Sequence, residues 1–382
     1  MGPRAVQHSD LNRQNYKSVF LVTGFPGLRA RKLLEHLVVA EPHALIYACV
    51  PNGGQKSLQG ALPILTGEQR SRLVALEADP TAIDLGLSGK EYRELAEQVD
   101  RIHHAAQLTR LGASRALAEA VNVRGMREVV ELGRACKNIR SIVVHSSACV
   151  SGNRTGRVLE RELNAGQSFR SVTEETLACA ERTAQSAMKE LPITVVRPSQ
   201  IVGDSHTGEI DELDGPYPFI QLMLGLPEDL SPPLPTRGDE ILHLAPIDFV
   251  VRAAHHIGMQ PSALGRTFHL TDPEPPSVRQ ALQLVAKHSG KRVREASLPS
   301  NLTQAFLKAP VIRRLSAEQR AYLELVRTSV RYDTTNADEI LGPAGIVCPS
   351  FESYVGSLVR YLRARAQGRL QSGAEEFEDH SA

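Results

Sequence analysis

The residues best suited to chemistry form one run, Thr23-Gly24-Phe25-Pro26-Gly27-Leu28-Arg29-Ala30. An apolar, β-branched stretch, Ser18 to Thr23, leads into it. A helical stripe with Leu33, Leu34, Leu37 and Val38 on one face follows it. A strand that turns sharply into a helix leaves backbone N–H groups free at the helix N-terminus, where they suit the oxygens of a pyrophosphate. Such a turn needs one glycine for the bend, a second where backbone meets phosphate, and a small residue where helix packs on strand. Gly24, Gly27 and Ala30 fill those places, with Phe25, Pro26 and Leu28 completing the loop. The chemistry this implies is dinucleotide binding.

Other reactive side chains give weaker signals. Cys49, Cys136, Cys149, Cys179 and Cys348 are odd in number, widely spaced and form no Cys-x-x-Cys. They read as free thiols in a reducing, cytoplasmic setting. Cys149 or Cys179 could serve as a nucleophile, yet neither has a neighbour in sequence that clearly supplies the positive charge a thiolate needs. His103-His104 and His255-His256 are adjacent pairs, and neighbours on a strand point to opposite faces. No metal site is expected from them.

The elements that must position the loop are legible as periodicity. Ala44 to Val50, Leu73 to Leu76, Arg101 to Ala106, Ser141 to His145 and Ile193 to Arg197 read as further strands. A long helix is predicted between Gly112 and Cys136, and another over Glu174 to Glu190. Strands alternating with helices imply an α/β, doubly wound parallel sheet, and uniformly apolar strands suit a sheet covered on both faces. After Arg197 the pattern changes. Gly203 to Asp239, rich in Gly, Pro and Asp, reads as irregular structure over the mouth of the sheet. Residues 276–365 read as mostly helical, with a short strand near Val330. The domain reading is a polar extension over 1–17, a nucleotide-binding domain over 18–200, a substrate-binding region interleaved with the last sheet elements over 201–366, and an acidic, disordered tail over 367–382.

Composition sets the outer bounds. The 382 residues exceed what one core usually needs, so a large domain with a smaller appended part is expected. With 44 basic and 43 acidic residues, the chain carries no field to attract nucleic acid or an anionic membrane. No apolar run approaches the ~18 residues of a membrane-spanning helix, and the first 17 residues do not read as a signal peptide.

Several motifs together resemble the extended short-chain dehydrogenase/reductases, with their Rossmann fold. They are the glycine loop, Ala78-Asp79, His104-Ala105-Ala106, Asn122-Val123-Arg124-Gly125 and Arg197-Pro198-Ser199-Gln200-Ile201-Val202-Gly203. The branch holding fatty acyl reductases and thioester reductase domains is the most similar, and the stretch Ile346 to Tyr361 also looks like its bacterial members. The resemblance implies that Asp79 accepts a hydrogen bond from adenine, that Ala105 and Ala106 wall the cofactor, and that Pro198 lies near the nicotinamide. It implies a hydrophobic small-molecule substrate and, as these folds often pair through two helices, a homodimer. The family's NADPH users carry an Arg after the second strand; here Val50-Pro51-Asn52 stands there, which favours NADH over NADPH. Arg29, Arg31 or Lys56 could still supply the charge.

The family's catalytic group is a Ser or Thr after the fifth strand and a Tyr-x-x-x-Lys on the next helix. Ser147 matches the first; Thr173 and Leu177 stand at the Tyr and Lys positions, and no Tyr-x-x-x-Lys occurs anywhere in the chain. Three readings follow. One is an atypical NAD(P)H-dependent reductase of an electrophilic carbonyl in specialised metabolism, with Ser147 and Thr173 as the catalytic candidates. Its proton would come from Ser147, Thr173, Glu174, Glu175, water or the substrate. The second is different chemistry on the same scaffold. The third is a non-catalytic NAD(H)-binding protein or partner subunit.

Overall fold

A computed structural model describes residues 15–51, 54–62, 65–110, 112–225, 238–291, 326 and 329–368. The extension over 1–14 and the tail beyond Gly368 lie outside the described residues. Among the described residues eleven strands run in chain order: β1 (Ser18–Thr23), β2 (Ala44–Val50), β3 (Leu73–Glu77), β4 (Arg101–His104), β5 (Ser141–His145), β6 (Gly156–Val158), β7 (Ile193–Pro198), β8 (Gln200–Val202), β9 (Leu244–Pro246), β10 (Thr267–Leu270) and β11 (Val330–Tyr332). Seven form one parallel sheet in the order β10-β7-β5-β4-β1-β2-β3. The chain steps from β1 to β2 on one side and later returns to place β4 on the other. That reversal opens a crevice at the strands' C-terminal ends, where ligands of such sheets bind.

Side chains alternate across the sheet. Val19 and Leu21 of β1 pack with Val129, Leu132 and Ala180 of the helices on one face. Phe20 and Val22 pack with Leu33, Leu37 and Val251 on the other. Every residue of β1, β2 and β5 is buried, as a sheet covered twice requires. The predicted leucine stripe forms the inner face of the helix Leu28–Ala40. A smaller, largely helical unit has its own core, built on Tyr217, Val285, Tyr354 and Leu358.

Several elements differ from their sequence reading. The strand expected to reach Ala106 ends at His104, because the chain there turns over the crevice. The long helix is three pieces, Arg115–Ala118, a π-helical stretch Glu119–Arg124, and Gly125–Ala135. The Gly- and Pro-rich stretch contains a helix, Tyr217–Gly225. Strand β10, within the region over 201–366, completes the main sheet beside β7. Two parallel pairs, β6 with β11 and β8 with β9, are three residues per strand and join distant segments.

Candidate active site

The glycine loop sits where β1 meets the crevice. Gly24 has φ +100°, and a Cβ there would stand 2.6 Å from the backbone carbon of Ala105, so no other residue fits. The Gly27 N–H donates to the Gly24 carbonyl (3.0 Å). Gly27 is also the N-cap of the helix Leu28–Ala40, and no side chain caps it. The first-turn N–H groups are therefore left for a ligand. Thr23 ties the loop to the strand beside it: its hydroxyl accepts from the Ala106 N–H (3.2 Å) and bonds His104 Nδ1 (2.9 Å).

A cavity of about 1330 Å³ runs from this loop along the crevice. Gly24, Phe25, Pro26, Gly27, Leu28, Asp79, Ala105, Ala106, Ser147 and Pro198 all line it; Thr173 does not. At one end the cavity reaches Pro51 after β2, and Glu77, Ala78 and Asp79 after β3. Asp79 Oδ1 accepts from both the backbone N–H and the hydroxyl of Thr81 (2.8 Å each), which fixes the carboxylate at the rim. Glu77 was not singled out from the sequence; its pairing with Val50 puts a second carboxylate at the place where the family's arginine would act.

The three candidate cations differ in placement. The half-buried Arg29 guanidinium donates to the His145 carbonyl (3.2 Å), and desolvation lowers its pKa to about 10. Arg31 pairs with Asp211 (2.5 Å) and Lys32 with Glu209 (2.6 Å), joining the glycine-loop helix to the loop that covers the crevice. Lys56 is exposed on the helix Gly54–Ala61 and does not line the cavity.

The far end holds Ser147, Cys149, Pro198, Ser199, His243 and Tyr332. Ser147 begins the short 3-10 turn Ala148–Ser151, where its hydroxyl accepts from the Cys149 N–H (3.3 Å). Burial, with Glu174 nearby, pushes the Cys149 thiol up to about 12, so it is a thiol and a poor nucleophile at neutral pH. Cys179 lies elsewhere, in a shallow groove between the helices Gly125–Ala135 and Val172–Ala187. The buried Ser199 hydroxyl and Gln107 Oε1 have no partner among the described residues, and both residues line the cavity. Buried polar atoms without partners are costly, and these two are placed to meet a polar ligand.

The Tyr and Lys positions have been closed off. Thr173 is 1% exposed, and its hydroxyl donates to the Arg110 carbonyl (2.9 Å). The structure thus places Thr173 outside the cavity lining, with its proton directed at a backbone carbonyl. Leu177, also 1% exposed, packs with Val150, Leu163 and Ala178. Glu174 is buried against Arg170 (2.7 Å), and Glu175 pairs on the surface with Arg115 (2.9 Å), so neither carboxylate lines the cavity. Behind the site, Glu181 accepts from Ser146 (2.7 Å) and from Arg197 (2.5 Å) in a fully buried network.

His103 bonds His145 (3.2 Å) on one face of the sheet, while His104 turns to Thr23 on the other. Among the described residues, no group of three or more His, Cys, Asp or Glu is placed to hold a metal ion. No helix among them is long and apolar enough to cross a membrane.

This geometry has counterparts among known proteins. A family model described as male sterility protein matches residues 22–254. Aldehyde reductase lnaA of Aspergillus flavus is 27% identical over 94% of this chain and 37% of its own length. A linear gramicidin synthase of Brevibacillus parabrevis is 26% identical over 66% of this chain. The chain spans only 5% of that relative, so it matches one part of a much longer protein. The crystal structure of the terminal R domain from the myxalamid PKS-NRPS biosynthetic pathway superposes with a TM-score of 0.78 and 25% identity, covering 94% of this chain and 92% of that one.

Proposed function

Since this chain belongs to the male sterility protein family, within the thioester reductase branch of the extended short-chain dehydrogenase/reductases, we propose that it binds NADH and reduces a hydrophobic, electrophilic carbonyl. The observation that carries this reading is one continuous cavity. It begins at a glycine loop and helix N-terminus fit for a pyrophosphate and ends at the Ser147 hydroxyl. A nicotinamide bound there would supply hydride to the carbonyl carbon. Gly24, Gly27 and Leu28 would hold the phosphates, with Phe25 and Pro26 shaping the loop. Asp79 would receive adenine, Ala105 and Ala106 would wall the cofactor, Pro198 and Ser199 would flank the nicotinamide, and Ser147 would hold the substrate oxygen.

Glu77 and Asp79 at the adenosine end, together with Val50-Pro51-Asn52 where the family's NADPH users carry an Arg, support NADH over NADPH. A missing charge-assisted contact to a 2′-phosphate is worth about 1.5–3 kcal/mol, so NADPH should bind about tenfold or more weakly. Relatives named as an aldehyde reductase and a gramicidin synthase support a place in specialised metabolism. Titrating the protein with each cofactor, read by nicotinamide fluorescence, tests this; the absence of Trp keeps protein emission low. Saturation by NADH alone, or well below the NADPH concentration, is expected. Equal affinity would overturn the preference, and no binding of either would overturn the reading itself.

A second reading has its own support. Thr173 and Leu177 are packed into the interior and not merely altered at the cavity wall, as in a protein that keeps its cofactor and has lost catalysis. Consumption of NADH with a carbonyl compound separates the two.

A further inference from the structure

The position of the family's tyrosine is sealed, yet another phenol lines the same cavity. Tyr332 lies on β11, which pairs in parallel with β6 and places Tyr332 opposite Val158. Its ring packs against two imidazoles, His243 at 4.8 Å and His269 at 5.1 Å. Both are fixed in turn. His243 bonds the Val330 carbonyl (2.9 Å) and the Thr271 hydroxyl (3.2 Å). His269 bonds the Asp333 carbonyl (2.8 Å) and Arg197 (3.3 Å), which extends the support into the buried Glu181–Arg197 network.

The Tyr332 hydroxyl meets the Ser151 hydroxyl (3.2 Å), at the end of the same 3-10 turn that Ser147 begins. The phenol is thus brought to the turn that carries the serine of the site, although 185 residues separate Tyr332 from Ser147 in the chain. Burial pushes its pKa up to about 12, so it keeps its proton at neutral pH and can donate. It remains far more acidic than the alcohol a reduction creates. A ring packed against two fixed imidazoles also has little rotamer freedom left to lose when substrate binds.

We propose that Tyr332 donates a hydrogen bond, and then the proton, to the substrate's carbonyl oxygen, in place of the tyrosine missing from the helix. This rests on the reductase reading above. As hydride from a reduced nicotinamide bonds to the carbonyl carbon, the C=O π pair moves to oxygen. That oxygen takes the phenolic proton as the Tyr332 O–H bond breaks. The cofactor is oxidised, the carbonyl is reduced, and the tyrosinate regains a proton from solvent.

The test compares the full-length protein with Y332F, using decanal as substrate and decanamide as an unreactive carbonyl probe. Y332F should bind NADH as the wild type does, which also reports an intact fold. Its NADH complex should bind decanamide about five- to tenfold more weakly, the loss expected for one neutral hydrogen bond. On decanal, kcat should fall by about 10²–10⁴ with KM changed little. Equal decanamide affinity in the two proteins would overturn the proposal. A wild type that binds NADH but reduces nothing would overturn the reductase reading, and the decanamide comparison would still decide the contact. Should Y332F fail to fold, 3-fluorotyrosine at position 332 keeps a more acidic hydroxyl. Decanamide should then bind more tightly, and unchanged affinity would count against Tyr332.

Discussion

At the residue scale, the two glycines of the loop have different duties. Their types made the loop legible in the sequence, but not which one can be changed. Gly24 has positive φ and sits against the Ala105 backbone, so Gly24→Ala should unsettle the fold and not just the site. A Cβ at Gly27 meets only the Gly24 carbonyl, at 3.1 Å, and φ there is ordinary. Gly27→Val should therefore keep the thermal midpoint within a few degrees while abolishing NADH binding. A lowered midpoint for Gly24→Ala, beside an unchanged one for Gly27→Val, is the pattern to find by thermal melts. Binding that survives Gly27→Val would detach the loop from the cofactor.

At the element scale, the helix Val172–Ala187 explains why the catalytic pair cannot simply be put back. Thr173 serves the Arg110 carbonyl, and Leu177 is part of a small apolar cluster. A lysine at Leu177 would bury a charge among Val150, Leu163 and Ala178, at a cost of several kcal/mol unless it gave up its proton. The double change Thr173→Tyr with Leu177→Lys is thus expected to lower stability by at least about 2 kcal/mol in denaturant titration and to restore no activity. Activity gained without loss of stability would show that the helix still carries the family's geometry. Strands β1, β2, β5 and β7 were legible because each is an apolar run five to seven residues long with breakers around it. Strands β6, β8 and β9, three residues each, carry no periodicity that could be read, whereas the short strand expected near Val330 is β11. Its pairing with β6, between segments far apart in the chain, could not be read, so the place of Tyr332 was invisible. Glu77 was missed because only the register of β3 on β2 brings it to the rim.

At the scale of the whole molecule, buried histidines set the response to acid. Burial holds His36, His104 and His255 down to about 4 and His269 to about 3, and pushes His103 and His145 well below the usual range. The unfolded chain binds protons at these groups near pH 6.5, whereas the folded chain does not. Their stabilising effect is therefore complete above about pH 6.5 and is lost as pH falls toward 4. Each contributes up to about 1.4 kcal/mol per pH unit within that window. Glu160 works the other way: burial raises it to about 7, so the folded state takes up its proton first as pH falls. Burial also raises Asp211 and Asp272 and lowers His243, and the histidines, being more numerous, set the slope. Against a total of about 5–15 kcal/mol, cooperative acid unfolding should begin below about pH 6 and finish near 4.5. Circular dichroism across that range checks it, and a fold intact at pH 4 would mean that several of these imidazoles are exposed to protonation without cost.

The same architecture gathers the glycine loop, a carboxylate rim, Ser147 and Tyr332 around one cavity, and the claim that this cavity works as a reductase is open to direct test. The measurement is NADH consumption with decanal by the wild type and by Gly27→Val, with cofactor binding followed in parallel. The account predicts saturable turnover by the wild type and none by the variant. NADH bound by the wild type and never consumed, with decanal or with other hydrophobic aldehydes and thioesters, would contradict it and leave a protein that holds the cofactor without using it.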